Sequence, residues 1–518
     1  MFTRKKWHGL LVLVLALVMA ALVGCGGGTS ESTEAEVSSS DEETVTQGGS
    51  AVIGYPQDIS NFDPTKGNAG GDHALLWPIY DTLISFNPEL EPQPGLAKDW
   101  EFKDDTTLVL YLQEGVTFHD GTEFNAEAVK YNIERVNSED STVSDISNVE
   151  SVEIIDDLTV ELKLSTPDNS ILLSLSDRAG MMVSPKAAEE GTLSEKPVGA
   201  GPYRFVERIP NGEIVYEGYE DYYKEGQPYL DEMTIKIMEE ENTRINALKS
   251  GEVDFIWNIS PGNIAMLEGE DNISLSGDVA FRFKVIYINN SMEPFNEQAV
   301  RQAVQYALNR EEYIAAINFG EGEPAYQLFP NQFWASSADA KIDYDPEKAK
   351  QILEDAGLTD VEFELTHYPT AYDTRIAEAI QSQLADVGIK VNLQAMELTA
   401  AVSTYFAEKN TPALLSDWNG RPDPQMSIHG VFSGKSYYNA GGQASEELEK
   451  LIEEASREYD PQKRQELYVE ITEKGLLEEA IAIPIFFVPT MAAMNEDIAG
   501  YQPNMYGKPK FADIQVKN

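Results

Sequence analysis

One cysteine, Cys25, stands in 518 residues, so no disulfide can close within this chain and no cysteine pair can hold a metal. Histidine is nearly as scarce: the five are scattered, and no His-Glu-x-x-His pair exists to bind zinc. Basic residues are few, 38 Lys and Arg against 88 Asp and Glu, for a formal charge of −50. That balance argues against nucleic acid as a partner and disfavours close contact with anionic lipid. Nucleotide loops are also missing. Gly434-Lys435-Ser436 would need a glycine at position 429, which is His429, and Gly199-Ala200-Gly201 would need one at Arg204. There is no Gly-x-Ser-x-Gly elbow, and 88 acids give no way to single out a catalytic carboxylate pair. Nothing in these residues asks for an enzyme or a cofactor.

The chain opens with Arg4, Lys5 and Lys6 before an unbroken apolar run over residues 10–23. Fourteen residues fall short of the roughly 20 that span a bilayer but fit the core of a secretory signal. The run ends Leu22-Val23-Gly24-Cys25, which resembles a bacterial lipobox, with residues 1–24 a signal peptide and Cys25 the lipidated first residue of the mature protein. Removing 1–24 takes away three basic and no acidic side chains, leaving 35 against 88, a charge of −53. Residues 26–50 hold three successive glycines, many Ser and Thr, six acids and no Lys or Arg. Such a segment buries too little to order itself, so 25–50 is expected to be an acidic tether spanning roughly 25–30 Å.

The remaining length suggests about three domains at roughly 150 residues each. Strands are expected at residues 51–55, 107–112, 115–121, 152–155, 159–164, 204–207, 214–218, 233–238, 281–289, 361–365 and 389–394. A buried helix is expected over 73–83, and a second after Asn125, with Phe124 and Val129 as a hydrophobic staple. Asn296, Asp345 and Asp460 are placed to cap helices over 297–308, 347–356 and 462–477; the last two follow with a proline at the first helical position. The apolar stretch 481–488 contains Pro484, which points to a strand switching between sheets. The alternation of helix and strand is that of an α/β protein.

The stretch richest in chemistry is Leu414-Leu415-Ser416-Asp417-Trp418-Asn419-Gly420-Arg421-Pro422-Asp423-Pro424. An arginine beside a tryptophan at a strand end can fork onto a carboxylate while the indole covers an apolar group. The same residues can equally form a surface turn, with Arg421 paired to Asp417 or Asp423 and Asp423 capping a helix at Pro424. His73 is either a packed residue or a ligand contact. The candidate ligand-binding set is Arg421, Trp418, Asp417, Asn419, Gly420, His73 and Tyr438, with no metal site; His73 and His429 would have to meet in space to make one.

Across the mature chain, Pro94-Gly95-Leu96-Ala97 with Trp100, then Leu112-Gln113-Glu114-Gly115-Val116-Thr117-Phe118-His119-Asp120-Gly121-Thr122-Glu123-Phe124-Asn125-Ala126, resembles bacterial extracellular solute-binding protein family 5, the peptide and nickel class of ABC-importer receptors. Gly199-Ala200-Gly201-Pro202-Tyr203, Asn242-Thr243-Arg244-Ile245-Asn246-Ala247-Leu248 and Val300-Arg301-Gln302-Ala303-Val304 extend the resemblance. It implies a two-lobed periplasmic-binding-protein-like clamshell (type II, cluster C-like) with an extra α+β domain inserted near the N-terminus. Lobe I would be 51–90, 198–283 and 485–518, the extra domain 91–197, and lobe II 284–484. It further implies a monomeric, non-catalytic receptor held outside the cytoplasm by its lipid, at the outer face of the cytoplasmic membrane or in the periplasm. The receptor would pass a small solute or oligopeptide to an ABC permease. Dipeptide-type members carry an aspartate, in a Trp-x-Gly-Asp pattern, that pairs with a peptide's amino terminus; here that position is Arg421. Either Asp417 substitutes from another angle, or the ligand presents a carboxylate, as glutathione does. A nickel chelate, another organic acid, a hydrolase of the amidohydrolase kind and a ligand-sensing adaptor for a membrane receptor are the competing readings.

Overall fold

The computed structural model describes residues 45–67, 70–337 and 339–517; the signal peptide, Cys25 and the first part of the tether lie outside them. The expected tether does not run to residue 50. Val45–Thr46 is a strand paired with Gln515–Lys517, and the next strand begins at Ser50.

An 11-stranded mixed sheet forms the main layer. Its order is Lys390–Ala395, Glu362–His367, Ala413–Asn419, Ile273–Ile288, Ala482–Asn495, Phe255–Trp257, Ser50–Tyr55, Glu232–Ile237, Glu213–Gly218, Tyr203–Ile209, with Glu323–Pro324 beside Ala482–Asn495. The two long central strands pair antiparallel, and parallel pairs lie on either side of them. Ala482–Asn495 is buried along nearly its whole length and reads as a near-continuous apolar run, whereas Ile273–Ile288 is buried only over its second half and carries polar residues along its length. Pro484 does not move its strand to another sheet. It faces Val285 where the ladder register shifts, a place where its missing N–H breaks no regular bond.

Helices Gln298–Ala307, Pro346–Asp355 and Ala371–Ala385 cover one end of this sheet and share a core with Ile286, Leu415 and Phe486. A separate antiparallel sheet, Ala97–Asp104, Thr107–Leu112, Thr159–Leu164, Val149–Asp156, packs under helix Ala126–Val136 with its own core of Leu108, Leu110, Val129, Ile133 and Leu162.

Local signals set most boundaries. Asn125 accepts from Ala128 N–H at 3.1 Å, Asp345 from Lys348 at 2.9 Å, and Asp460 from Gln462 and Lys463 at 3.0 and 3.1 Å, all as N-caps. Four further expectations fail. The helix expected over 73–83 is only Asp72–Leu76, because Pro78 lacks the N–H and the space to continue it. Residues 115–121 form no strand; a single bridge joins Thr117 to Glu123 between left-handed turns at Gly115 and Gly121. Asn296 does not cap: the helix starts at Gln298 after Glu297, without a side-chain cap. The helix from Pro461 stays α-helical only to Thr472, then widens into a π turn, Glu473–Glu478.

The segment around residue 199 is fixed by His119. Its Nε2 lies 2.9 Å from Gly201 O and its Nδ1 3.4 Å from Gly199 N, so the neutral ring donates from Nε2 and accepts at Nδ1. Burial lowers its pKa from 6.5 to about 4. The folded state therefore binds fewer protons than the unfolded one across that window, and stability rises with pH there. His119 should contribute fully above pH 6.5 and lose that contribution as pH falls toward 4. Thermal melts between pH 7 and 4.5 should show a shallower decline for His119→Gln, which can keep both bonds without titrating, than for wild type; equal slopes would remove His119 as the cause.

Candidate functional site

Strand Ala413–Asn419 places successive side chains on opposite faces, and this decides the fate of the central stretch. Asp417 turns to Lys284, whose Nζ lies 2.8 Å away and also reaches Asp373 at 2.6 Å. Arg282 Nε stands 3.6 Å from the other Asp417 oxygen, an ion pair longer than a hydrogen bond. Burial works against the ionised form, but the charges of Lys284 and Arg282 overcome it and hold Asp417 below the ordinary carboxylate value. Trp418 turns the other way. It is 3% exposed, meets the Tyr438 ring edge-on at 5.1 Å, and its indole N–H has no partner among the described residues.

Gly420 is a packing position: a Cβ there would stand 2.1 Å from Phe281 Cβ, and its N–H donates to Phe281 O. Asn419 is exposed and opposes Arg282 in the ladder. Asp423 caps helix Pro424–Phe432 through Gln425 N at 2.8 Å and pairs with Arg464 at 2.6 Å.

Arg421 therefore pairs with neither aspartate that flanks it. Its Nη2 donates to Tyr438 Oη at 3.3 Å, and no described carboxylate forms an ion pair with it. Burial pulls its pKa down, but the field of Tyr438, Tyr506, Asp145 and Asp177 outweighs this and holds it above the usual arginine value. His73 belongs to the same neighbourhood through Asp177. The imidazole Nε2 and Asp177 Oδ1 are 2.6 Å apart, Tyr506 donates to Asp177 at 2.5 Å, and Lys508 Nζ lies over the Tyr506 ring at 3.7 Å. Burial brings the Lys508 ammonium down to about 7. Arg178 points back into the fold and donates twice to Pro64 O. Nearby, a concavity of about 430 Å³ is lined by Glu89, Glu91, Asp278, Phe333, Trp334 and Met505, and not by Arg421.

Asn169 ties the separate sheet's segment to helix Glu446–Arg457. Its amide donates to Ala455 O and Glu458 O at 2.6 Å each, and its N–H to Ser456 O at 3.1 Å.

The family model for bacterial extracellular solute-binding proteins, family 5 (middle region), matches residues 91–439. The chain belongs to this family. A glutathione-binding protein of Pectobacterium atrosepticum is 31% identical over 357 residues, 67% of this chain and 69% of that protein. A glutathione-binding protein of Salmonella typhi is 25% identical over 470 residues, 87% of this chain and 91% of its own. The solved structure of an ABC transporter-associated periplasmic binding protein from Helicobacter pylori, in complex with the peptide STSA, superposes with a TM-score of 0.80. It is 24% identical, over 91% of this chain and 99% of that one. The fold of this family 5 protein is thus a two-lobed α/β clamshell.

Of the sequence-nominated residues, the structure brings Arg421, Trp418 and Tyr438 together and sets His73 in the adjoining charge cluster. Asp417 is turned into the Lys284 lock, Gly420 serves close approach, and Asn419 reaches solvent. His73 and His429 do not meet, and no group of three or more His, Cys, Asp or Glu among the described residues could hold a metal ion. Asp145, Asp177, Tyr506 and Lys508 escaped sequence reasoning because distant segments bring them together. Lys284 did carry a signal: with Arg282 it is one of two cations set among Phe281, Phe283, Val285 and Tyr287 in the central strand.

Lys284 is 2% exposed and neutralises two carboxylates. Lys284→Met should cost roughly 3–5 kcal/mol in urea unfolding, since it strands buried charge, and adding Asp373→Asn and Asp417→Asn should return much of it. A loss under about 1 kcal/mol would place the trio in the class of solvated surface pairs.

Proposed function

We propose that this family 5 protein captures a carboxylate-bearing peptide or peptide-like solute of the glutathione kind between its lobes and delivers it to an ABC permease, without covalent chemistry. One observation carries the ligand class: Arg421, held charged beside Trp418 and Tyr438, forms no ion pair with any described carboxylate. A guanidinium fork there suits a planar carboxylate, and the indole and phenol rings beside it suit the adjoining apolar part. The relatives named for binding glutathione support the same reading. The lobes proposed are 51–90, 198–283 and 485–518 against 284–484, with 91–197 as the inserted domain. Closure over ligand is taken to form the Asn169 contacts with helix Glu446–Arg457.

Mass spectrometry of what co-purifies with the mature protein should identify a carboxylate-bearing solute. In calorimetry, Arg421→Ala should weaken binding of that solute more than tenfold, as truncating one partner of a buried charge pair typically costs about 2–5 kcal/mol. Arg421→Lys should recover little, because a point ammonium cannot reproduce the fork. Binding by Arg421→Ala within about threefold of wild type, a loss of roughly 0.7 kcal/mol, would remove Arg421 as the anchor.

The anchoring proposal concerns Cys25, outside the described residues. No described helix is long and apolar enough to cross a membrane. Cys25→Ser should leave ligand binding intact and release the protein from the membrane fraction; unchanged retention would overturn lipid anchoring.

A further inference from the structure

The site has a second charged group that no hydrogen bond or ion pair among the described residues accounts for. Asp145 sits on a turn with Val143 and Ile146 buried on either side of it, 8% and 0% exposed. Thr142 clamps that turn: its N–H donates to Thr65 O at 2.8 Å and its hydroxyl to Thr65 O and Gly67 O at 3.1 Å each. The backbone is thus fixed, and the carboxylate, largely but not fully buried, accepts no hydrogen bond from any described residue. The charges acting on it are those of Arg421, Asp177, Arg178 and His73, the same cluster that surrounds the site. Arg421 and Asp145 feel each other, yet no nitrogen–oxygen approach within 4.0 Å joins them. The two opposite charges act on each other without an ion pair between them.

The other acids nearby are taken. Asp177 is bonded by His73 and Tyr506, Asp417 by Lys284, and Asp423 by Arg464. We propose that Asp145 is the ammonium anchor of the site, opposite Arg421, so that the ligand is a zwitterion with a free amine and a free carboxylate. This rests on the reading of the site as a peptide-type receptor, and it supplies the amine contact that an arginine at position 421 cannot make. Burial is the largest influence on Asp145 and, with the Asp177 charge, raises its pKa above the ordinary carboxylate value against Arg421, Arg178 and His73. An incoming ammonium would complete the partial neutralisation, and the pinned turn means little ordering is needed on binding.

The test is calorimetry with four probes: glutathione, the dipeptide Met-Leu, and the N-acetylated form of each. For whichever peptide binds wild type, N-acetylation should weaken binding at least tenfold. Asp145→Asn, with Asp145→Ser as a second variant and melting temperature as the folding control, should weaken the free-amine peptide at least tenfold. Both variants should bind the acetylated form within about threefold of wild type. If wild type binds free and acetylated peptides equally, or if the variants lose both forms equally, Asp145 is not the anchor although the peptide reading stands. If wild type binds neither free peptide, the peptide reading falls and takes this inference with it.

Discussion

Strand Ile273–Ile288, paired antiparallel with Ala482–Asn495, is the constraint on which the rest of the architecture depends. The two strands lie at the middle of the 11-stranded sheet, so the halves on either side are held in register by one ladder. The same strand sets the site. Phe281 O receives the Gly420 N–H, and Phe281 Cβ leaves no room for a side chain at 420, so the loop carrying Arg421 is seated directly on the crossing strand. Three residues on, Lys284 binds Asp417 from below the same loop. A side chain at 420 or a neutral residue at 284 would act on the position of Arg421 without touching any ligand.

Alternation along Ala413–Asn419 then separates two kinds of chemistry that adjoin in sequence. Asp417 goes into a buried ion lock with Lys284 and Asp373, where opposite charges compensate the loss of water. Trp418, one residue later, goes to the face shared with Tyr438 and Arg421. The lock uses up the acid that sequence reasoning offered as an amine anchor. What remains available to an amine is contributed from the far side, by a turn tied to residues 65 and 67.

Legibility followed the range of the interaction involved. Helix starts at Ala126, Pro346 and Pro461 were readable because an N-cap is decided within four residues. The helix expected over 73–83 failed through a local fact given too little weight, Pro78, while the strand expected over 115–121 lost to two glycines in left-handed turns. The Trp418–Arg421 loop stood out because its residue types are costly to leave together without a use. Asp145, Asp177, Tyr506 and Lys508 had no such mark. Each is one polar residue in an ordinary loop, and only the closing of segments hundreds of residues apart makes them neighbours of Arg421 and His73.

The overall charge bears on what such a site can select. With residues 1–24 removed the formal balance is −53, and that field opposes an approaching anion. At physiological ionic strength screening acts over about 8 Å, so inside the cleft the nearest charges outweigh the remote ones. A ligand with net negative charge would still meet the repulsion on its way in. A dipeptide zwitterion carries no net charge to repel and glutathione, with two carboxylates and one ammonium, only a single negative one; in either, the two ends can be sorted at short range, carboxylate to Arg421 and ammonium to Asp145. A strongly acidic body whose site holds a guanidinium and a carboxylate in no ion pair among the described residues is therefore better matched to a dipolar solute than to a simple acid.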